Sequence, residues 1–164
     1  VCSFLLQTSL LDRFSASLCD HVLDRSDSQA MLRRLEAANL FVVALDSERL
    51  WFAFHSLMRS FLRSVQLQRD PGGAAEAFRR ASLWYEANGD IIDAIQYALE
   101  GRDHERIGQL IRANGLGLVF QGELETVLGW RHAYGGGRPA TDLGRHVARH
   151  GSRPGREERT QCSR

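Results

Sequence analysis

Few residue patterns in this chain could carry chemistry, and the strongest centres on one histidine. His55 lies within Leu50-Trp-Phe-Ala-Phe-His-Ser-Leu-Met-Arg-Ser-Phe-Leu-Arg63, where a short apolar run of strand character passes directly into a run of helical period. A residue at such a junction is held by two rigid elements and sits at a helix N-terminus. There an imidazole N–H and the free backbone amides together suit a phosphate. Read without that chemistry, His55 merely ends a strand. Ser56 follows it and can cap the helix. The three cysteines, Cys2, Cys19 and Cys162, are spaced too widely for a disulfide framework or a zinc site. Cys19, between Leu18 and Val22, reads as a small core residue. His146 and His150 have the i, i+4 spacing of a helical metal pair but lack a third ligand. No nucleophile–base pair, paired carboxylates or metal cluster occurs at recognisable spacing, so the chain is not expected to be an enzyme. All 21 basic residues are arginine, and without lysine a phosphate-binding loop of the GxxxxGK[ST] type is excluded within this chain.

The elements that must position His55 can be read from period and punctuation. Residues 3–11 form a short apolar helix that Asp12 to Ser15 break. Ser15 caps a second helix through Leu18, Cys19, Val22 and Leu23. Asp27 or Ser28 caps a third, Gln29 to Ala38, with Met31, Leu32 and Leu35 on one face. The period then changes. Leu40–Leu45 and Leu50–Phe54 read as strands around the turn Asp46-Ser-Glu-Arg49, with Trp51 and Phe41 stacked across the hairpin or filling the core. A helix over 56–69 follows, with Leu57, Phe61, Leu62 and Val65 facing inward, and Asp70-Pro-Gly-Gly73 ends it. Three helices and then a hairpin is the order of a winged helix.

Beyond residue 73 the texture is helical hairpins. Helices Ala75–Ala87, Ile91–Glu100 and Glu105–Ala113 alternate with gaps that offer Gly or Asn for a left-handed C′ position. Ala81, Ala94 and Ala98 permit close helix approach, and Trp84 and Tyr85 read as packing within tetratricopeptide-like repeats. From Arg131 apolar anchors are scarce and disorder is expected. The predicted class is therefore mainly α: a winged-helix domain over 1–70 with one β-hairpin, truncated tetratricopeptide-like α-hairpins over 74–130, and a disordered basic tail over 131–164. Charge divides at the same place. Residues 1–130 hold 13 Arg against 17 Asp and Glu, whereas 131–164 hold 8 Arg against 3. An acidic body is a poor match to nucleic acid. Arg33-Arg34, on the helix before the hairpin, is accordingly read as an interdomain contact rather than a groove reader. No apolar run approaches the roughly 18–20 residues of a membrane span, and a cytoplasmic protein is expected.

Three blocks carry a family resemblance: Phe4-Leu-Leu-Gln-Thr-Ser-Leu-Leu-Asp-Arg13 with Leu18-Cys-Asp20, Arg49 to Leu62, and Arg80-Ala-Ser-Leu-Trp-Tyr-Glu-Ala-Asn-Gly89 leading to Ala94-Ile95 and Ala98-Leu99. A weaker fourth is Gly122-Glu-Leu-Glu-Thr-Val-Leu-Gly-Trp130. In order and spacing they resemble the middle of MalT-type regulators, the large ATP-binding branch of the LuxR family, which are signal-transduction ATPases with numerous domains. The resemblance implies a bacterial fragment whose upstream ATPase domain binds ATP or ADP, with no cofactor in this chain. Its implied partners are that ATPase domain in cis, a small-molecule or protein effector on the helical array, and further copies through self-association. DNA would be met only through a C-terminal helix-turn-helix beyond this segment. Phe54-His55-Ser56-Leu57, followed by Phe61-Leu62, resembles the Met-His-Asp motif of related switch ATPases. On that likeness His55 reaches the β-phosphate of ADP, with Ser56 in the aspartate's place and Phe54 in the methionine's. The abrupt turn to Arg, Gly and Pro after Trp130 is what a shifted reading frame in GC-rich DNA yields. The alternative is an autonomous DNA-binding winged helix with a basic arm.

Overall fold

The computed structural model describes residues 2–38 and 41–120. Along them run α1 (Cys2–Thr8), α2 (Ala16–Leu23), α3 (Ser28–Ala37), β1 (Val42–Ala44), β2 (Phe52–Phe54), α4 (Ser56–Arg69), α5 (Pro71–Ala87), α6 (Ile91–Glu100) and α7 (His104–Phe120). This is the expected mainly α class, a winged helix followed by helical hairpins. Residues 121–130 and the tail predicted over 131–164, with His146, His150 and Cys162, lie outside the described residues.

Capping chemistry sets the first boundaries. Helix α1 stops at Thr8 rather than running to residue 11. The Thr8 and Ser9 hydroxyls donate back to the carbonyls of Phe4 and Leu6, each at 2.6 Å, and tighten the last turn. Leu10 and Leu11 then turn into the core. Ser15 caps α2 as expected, its Oγ accepting the Leu18 amide at 3.2 Å. Asp27 holds the cap position of α3 without a side-chain bond, and Asp20 instead accepts the Ser28 amide at 3.1 Å.

The hairpin pairs Val42 with Phe54 and Ala44 with Phe52 in antiparallel register. Both strands are shorter than the sequence suggests. The Asp46 carboxylate takes the amides of Leu50 and Trp51 at 2.8 and 2.9 Å, which holds that stretch as a loop. On its other edge β2 meets Phe14, which exchanges both backbone hydrogen bonds with Phe52 at 2.8 Å. The chain ahead of α2 therefore adds a one-residue third strand to the wing.

Asp70 both ends α4 and begins α5. Its amide donates to the Gln66 carbonyl, and its carboxylate accepts the Gly73 amide at 2.8 Å, with Pro71 in the first turn. The expected breaker Asp70-Pro-Gly-Gly73 is thus a helix start, because proline at N1 gives up no hydrogen bond. The α5–α6 turn uses Gly89 at φ +83°, as expected. At the α6–α7 turn Gly101 keeps a right-handed φ of −76°, and Arg102 takes the left-handed place at φ +54°. Nor does Asn114 stop α7. Its side-chain amide donates to the Leu110 carbonyl at 3.1 Å, and the helix continues to Phe120.

One hydrophobic cluster runs from Phe4 to Leu110, with α2 against α5 and α5 against α6. Ala81, Ala94 and Ala98 are fully buried, which lets the α5–α6 backbones approach. Tyr85 and Tyr97 stack across that seam at 5.3 Å. The Tyr85 hydroxyl is buried and makes no well-formed hydrogen bond among the described residues; the nearby Arg13 guanidinium lowers its pKa, but burial followed by the Asp93 carboxylate outweighs it and pushes the pKa up to about 12. Tyr85→Phe keeps the ring and deletes a desolvated hydroxyl. It is expected to leave stability unchanged or raise it by up to about 1 kcal/mol. Thermal denaturation checks this, and a clear fall in midpoint would mean that the hydroxyl is bonded in the folded state.

Candidate functional site

His55 stands where the sequence places it, between the end of β2 and the start of α4. Its backbone is extended (φ −55°, ψ 137°), its N–H donates to the Phe41 carbonyl at 2.9 Å, and its own carbonyl accepts the Arg59 amide at 2.9 Å. Both bonds use the main chain, and the imidazole itself is exposed. Ser56, expected to cap the helix, is instead its first residue. His55 occupies the cap position and no side chain caps α4. The amides of the first turn therefore have no intrahelical acceptor and present the positive end of a helix of 14 residues beside the ring. That arrangement can donate hydrogen bonds to an anion.

The surroundings are apolar. Phe41, His55, Leu57, Met58 and Phe61 line an open groove of about 430 Å³. Phe41 adopts φ +59°, a left-handed conformation costly for a bulky side chain, with its carbonyl committed to His55. Trp51 and Phe41, read as partners across the hairpin or as core, part company: Phe41 is exposed, while Trp51 makes an edge contact with Trp84 of α5 at 6.1 Å. Val43, Leu45 and Leu50 are also exposed on the hairpin. Phe41, Leu57 and Phe61 of the groove are thus large apolar side chains that no described residue covers.

Helix α4 explains why the surface exists. The sequence predicts Leu57, Phe61, Leu62 and Val65 on its inner face. Leu62 and Val65 are half-buried, but Leu57 is 77% and Phe61 64% exposed. The inner face instead carries Arg59, Arg63 and Gln66, the last 5% exposed. Carboxylates on neighbouring elements accompany the inversion: Arg59 pairs with the exposed Asp12, and Arg63 with the part-buried Glu100 at 2.5 Å. Periodicity finds an apolar stripe but not what it packs against. The arginine cluster was missed because its acidic partners lie 47 and 37 residues away, and only Arg59-x3-Arg63 itself is local.

The other candidates fall into place around this face. Cys19 is buried, and burial pushes its thiol up to about 12, well out of a nucleophile's range. Arg33 and Arg34 are exposed on α3. Among the described residues no group of three or more His, Cys, Asp or Glu could hold a metal ion, and no helix is long and apolar enough to cross a membrane.

Three helices, a small wing and a histidine at the wing-to-helix junction define a winged helix with an apolar face that no described residue covers. Residues 1–74 match the MalT winged helix domain. The similarity extends into the helical hairpins. The chain is 32% identical over 124 residues to the HTH-type transcriptional regulator MalT of Vibrio campbellii, covering 76% of this chain and 14% of that protein. It is 32% identical over 125 residues, with the same coverage, to the MalT of Vibrio cholerae. It is also 32% identical over 128 residues to the serine/threonine-protein kinase PknK of Mycobacterium tuberculosis, covering 76% of this chain and 11% of that protein. The chain thus spans 14% or less of the length of these relatives, and it resembles a segment of bacterial MalT-type transcriptional regulators.

Proposed function

We propose that this chain is the regulatory segment of an ATP-dependent LuxR-family activator, coupling the nucleotide state of an ATPase domain in cis to a helical sensor array. The observation that carries the reading is the exposed His55 imidazole at the uncapped start of α4, set in an apolar face that no described residue covers. An ATPase core seated on that face would bury Leu57 and Phe61 and bring bound ADP against the imidazole and the first-turn amides. The segment performs no catalysis of its own. Its work is a population shift between a closed ADP state and an open, self-associating ATP state. An effector would act on the helices beyond α4, DNA would be met through a separate helix-turn-helix domain, and the protein would work in the cytoplasm.

The test is His55→Ala in the full-length protein that contains this segment. Loss of one phosphate hydrogen bond should speed ADP release by about tenfold and raise basal transcription without effector. Unchanged ADP release and unchanged basal output would sink the sensing role.

The alternative, an autonomous DNA-binding winged helix, draws support from the exposed Arg33 and Arg34. Against it, the wing offers a single basic side chain, Arg49, which pairs with Glu36, beside Asp46, Glu48 and exposed Val43, Leu45 and Leu50, where a phosphate-tracking wing needs several. The regulatory reading is therefore preferred.

A further inference from the structure

We propose that α4 is a two-sided transmission element, its inner arginines clasping the first helical hairpin of the array so that a displacement at His55 is delivered to α6. This deepens the sensing reading and rests on it for its biological meaning, but the clasp is a property of this chain alone.

Arg63 is the centre of the clasp. Its Nη2 donates to Glu100 Oε2 at 2.5 Å, and its Nη1 donates to the Leu10 carbonyl at 3.3 Å. Its guanidinium lies 5.3 Å from the centre of the Phe78 ring. One side chain therefore joins α4 to the α1–α2 turn, to α5 and to the last residue of α6. Arg59, one turn nearer His55, pairs with Asp12. The Asp12 amide in turn donates to the Tyr97 hydroxyl of α6 at 3.0 Å. Tyr97 is itself fixed between Phe78 and Tyr85, at 6.4 and 5.3 Å. Two routes thus run from α4 to α6, beginning four and eight residues from His55.

Ordinary packing does not account for this arrangement. Two guanidiniums under a helix cost more desolvation than the leucine and phenylalanine that the same helix exposes. Arg59 Nε is buried with no partner among the described residues, and burial with the neighbouring Arg63 lowers the Arg59 pKa. An apolar interface can slip by fractions of a turn at little cost. Charge pairs with defined partners break or hold, which is the behaviour a transmitting joint requires.

Amide hydrogen exchange on the 164-residue chain tests the clasp. Glu100→Gln is expected to speed exchange within α4 by about tenfold, between the values for exposed and buried pairs, while α2 and α5 keep their protection. The charge-swapped pair Arg63→Glu with Glu100→Arg restores the ion pair but not the Leu10 and Phe78 contacts, and should recover part of the lost protection. Unchanged α4 exchange in Glu100→Gln overturns the proposal. So does a swap that is no better than the single substitutions, or loss of protection across α2 and α5 together, which would make the pair a contributor to global stability. His55→Ala in the same chain should leave exchange of α6 unaltered, so failure of nucleotide sensing and failure of the clasp remain distinguishable.

Discussion

Phe14→Ala is expected to destabilise the chain by about 3–5 kcal/mol, the range for an aromatic removed from a packed core. Phe14 is fully buried, its ring is 6.5 Å from Phe52 and 5.0 Å from Phe54, and its backbone is the third strand of the wing. The substitution leaves a cavity where α2, the wing and the start of α4 converge. Loss of this size is a large part of the roughly 5–15 kcal/mol that holds a domain folded. Chemical denaturation followed by far-UV circular dichroism measures it. A change below about 1 kcal/mol would mean that the hairpin is not seated on the helices, and His55 would then lack a rigid support.

Phe61→Asp separates folding from function in the opposite sense. The side chain is largely exposed, so in this chain alone the substitution should alter stability by no more than about 0.5 kcal/mol. In a full-length protein whose ATPase core covers α4, the same change buries a carboxylate against apolar surface, at a cost of several kcal/mol. The closed state should then be lost, and basal transcription should rise more than in His55→Ala. The check pairs a melting curve of the chain with reporter output of the full-length protein. A large drop in melting temperature with unchanged output would assign Phe61 to the fold and leave the apolar face without a partner in cis.

Where local chemistry decides, the sequence was readable. Ser15 announces α2 because a serine before an apolar period has an obvious backbone donor to satisfy, and Ile91–Glu100 is bounded by Gly89-Asp90 and Gly101. The position of His55 follows from a change of period, while its proposed phosphate contact rests on the junction chemistry and on a family likeness together. The failures were of another kind. Asp70-Pro-Gly-Gly73 read as a breaker because its residues are poor inside a helix, yet the Asp70 cap and Pro71 make them a good beginning. Asn114 read as a stop, but its amide folds back onto its own helix. Leu57 and Phe61 were assigned to the core because an apolar stripe says only that something will cover it. The identity of the cover, and the acidic residues that draw Arg59 and Arg63 beneath the helix, are set by the tertiary arrangement.

The junction at Asp70 has a mechanical corollary. Asp70 alone separates α4 from α5, and its carboxylate is hydrogen-bonded to the Gly73 amide. A methyl group on Gly73 would collide with that carboxylate. Helices α4 and α5 therefore share a joint with two torsions and no slack. When α4 turns, α5 must turn with it or the joint must unwind. A signal crossing this point is a rotation about one residue, and its angular range is whatever φ and ψ of Asp70 allow.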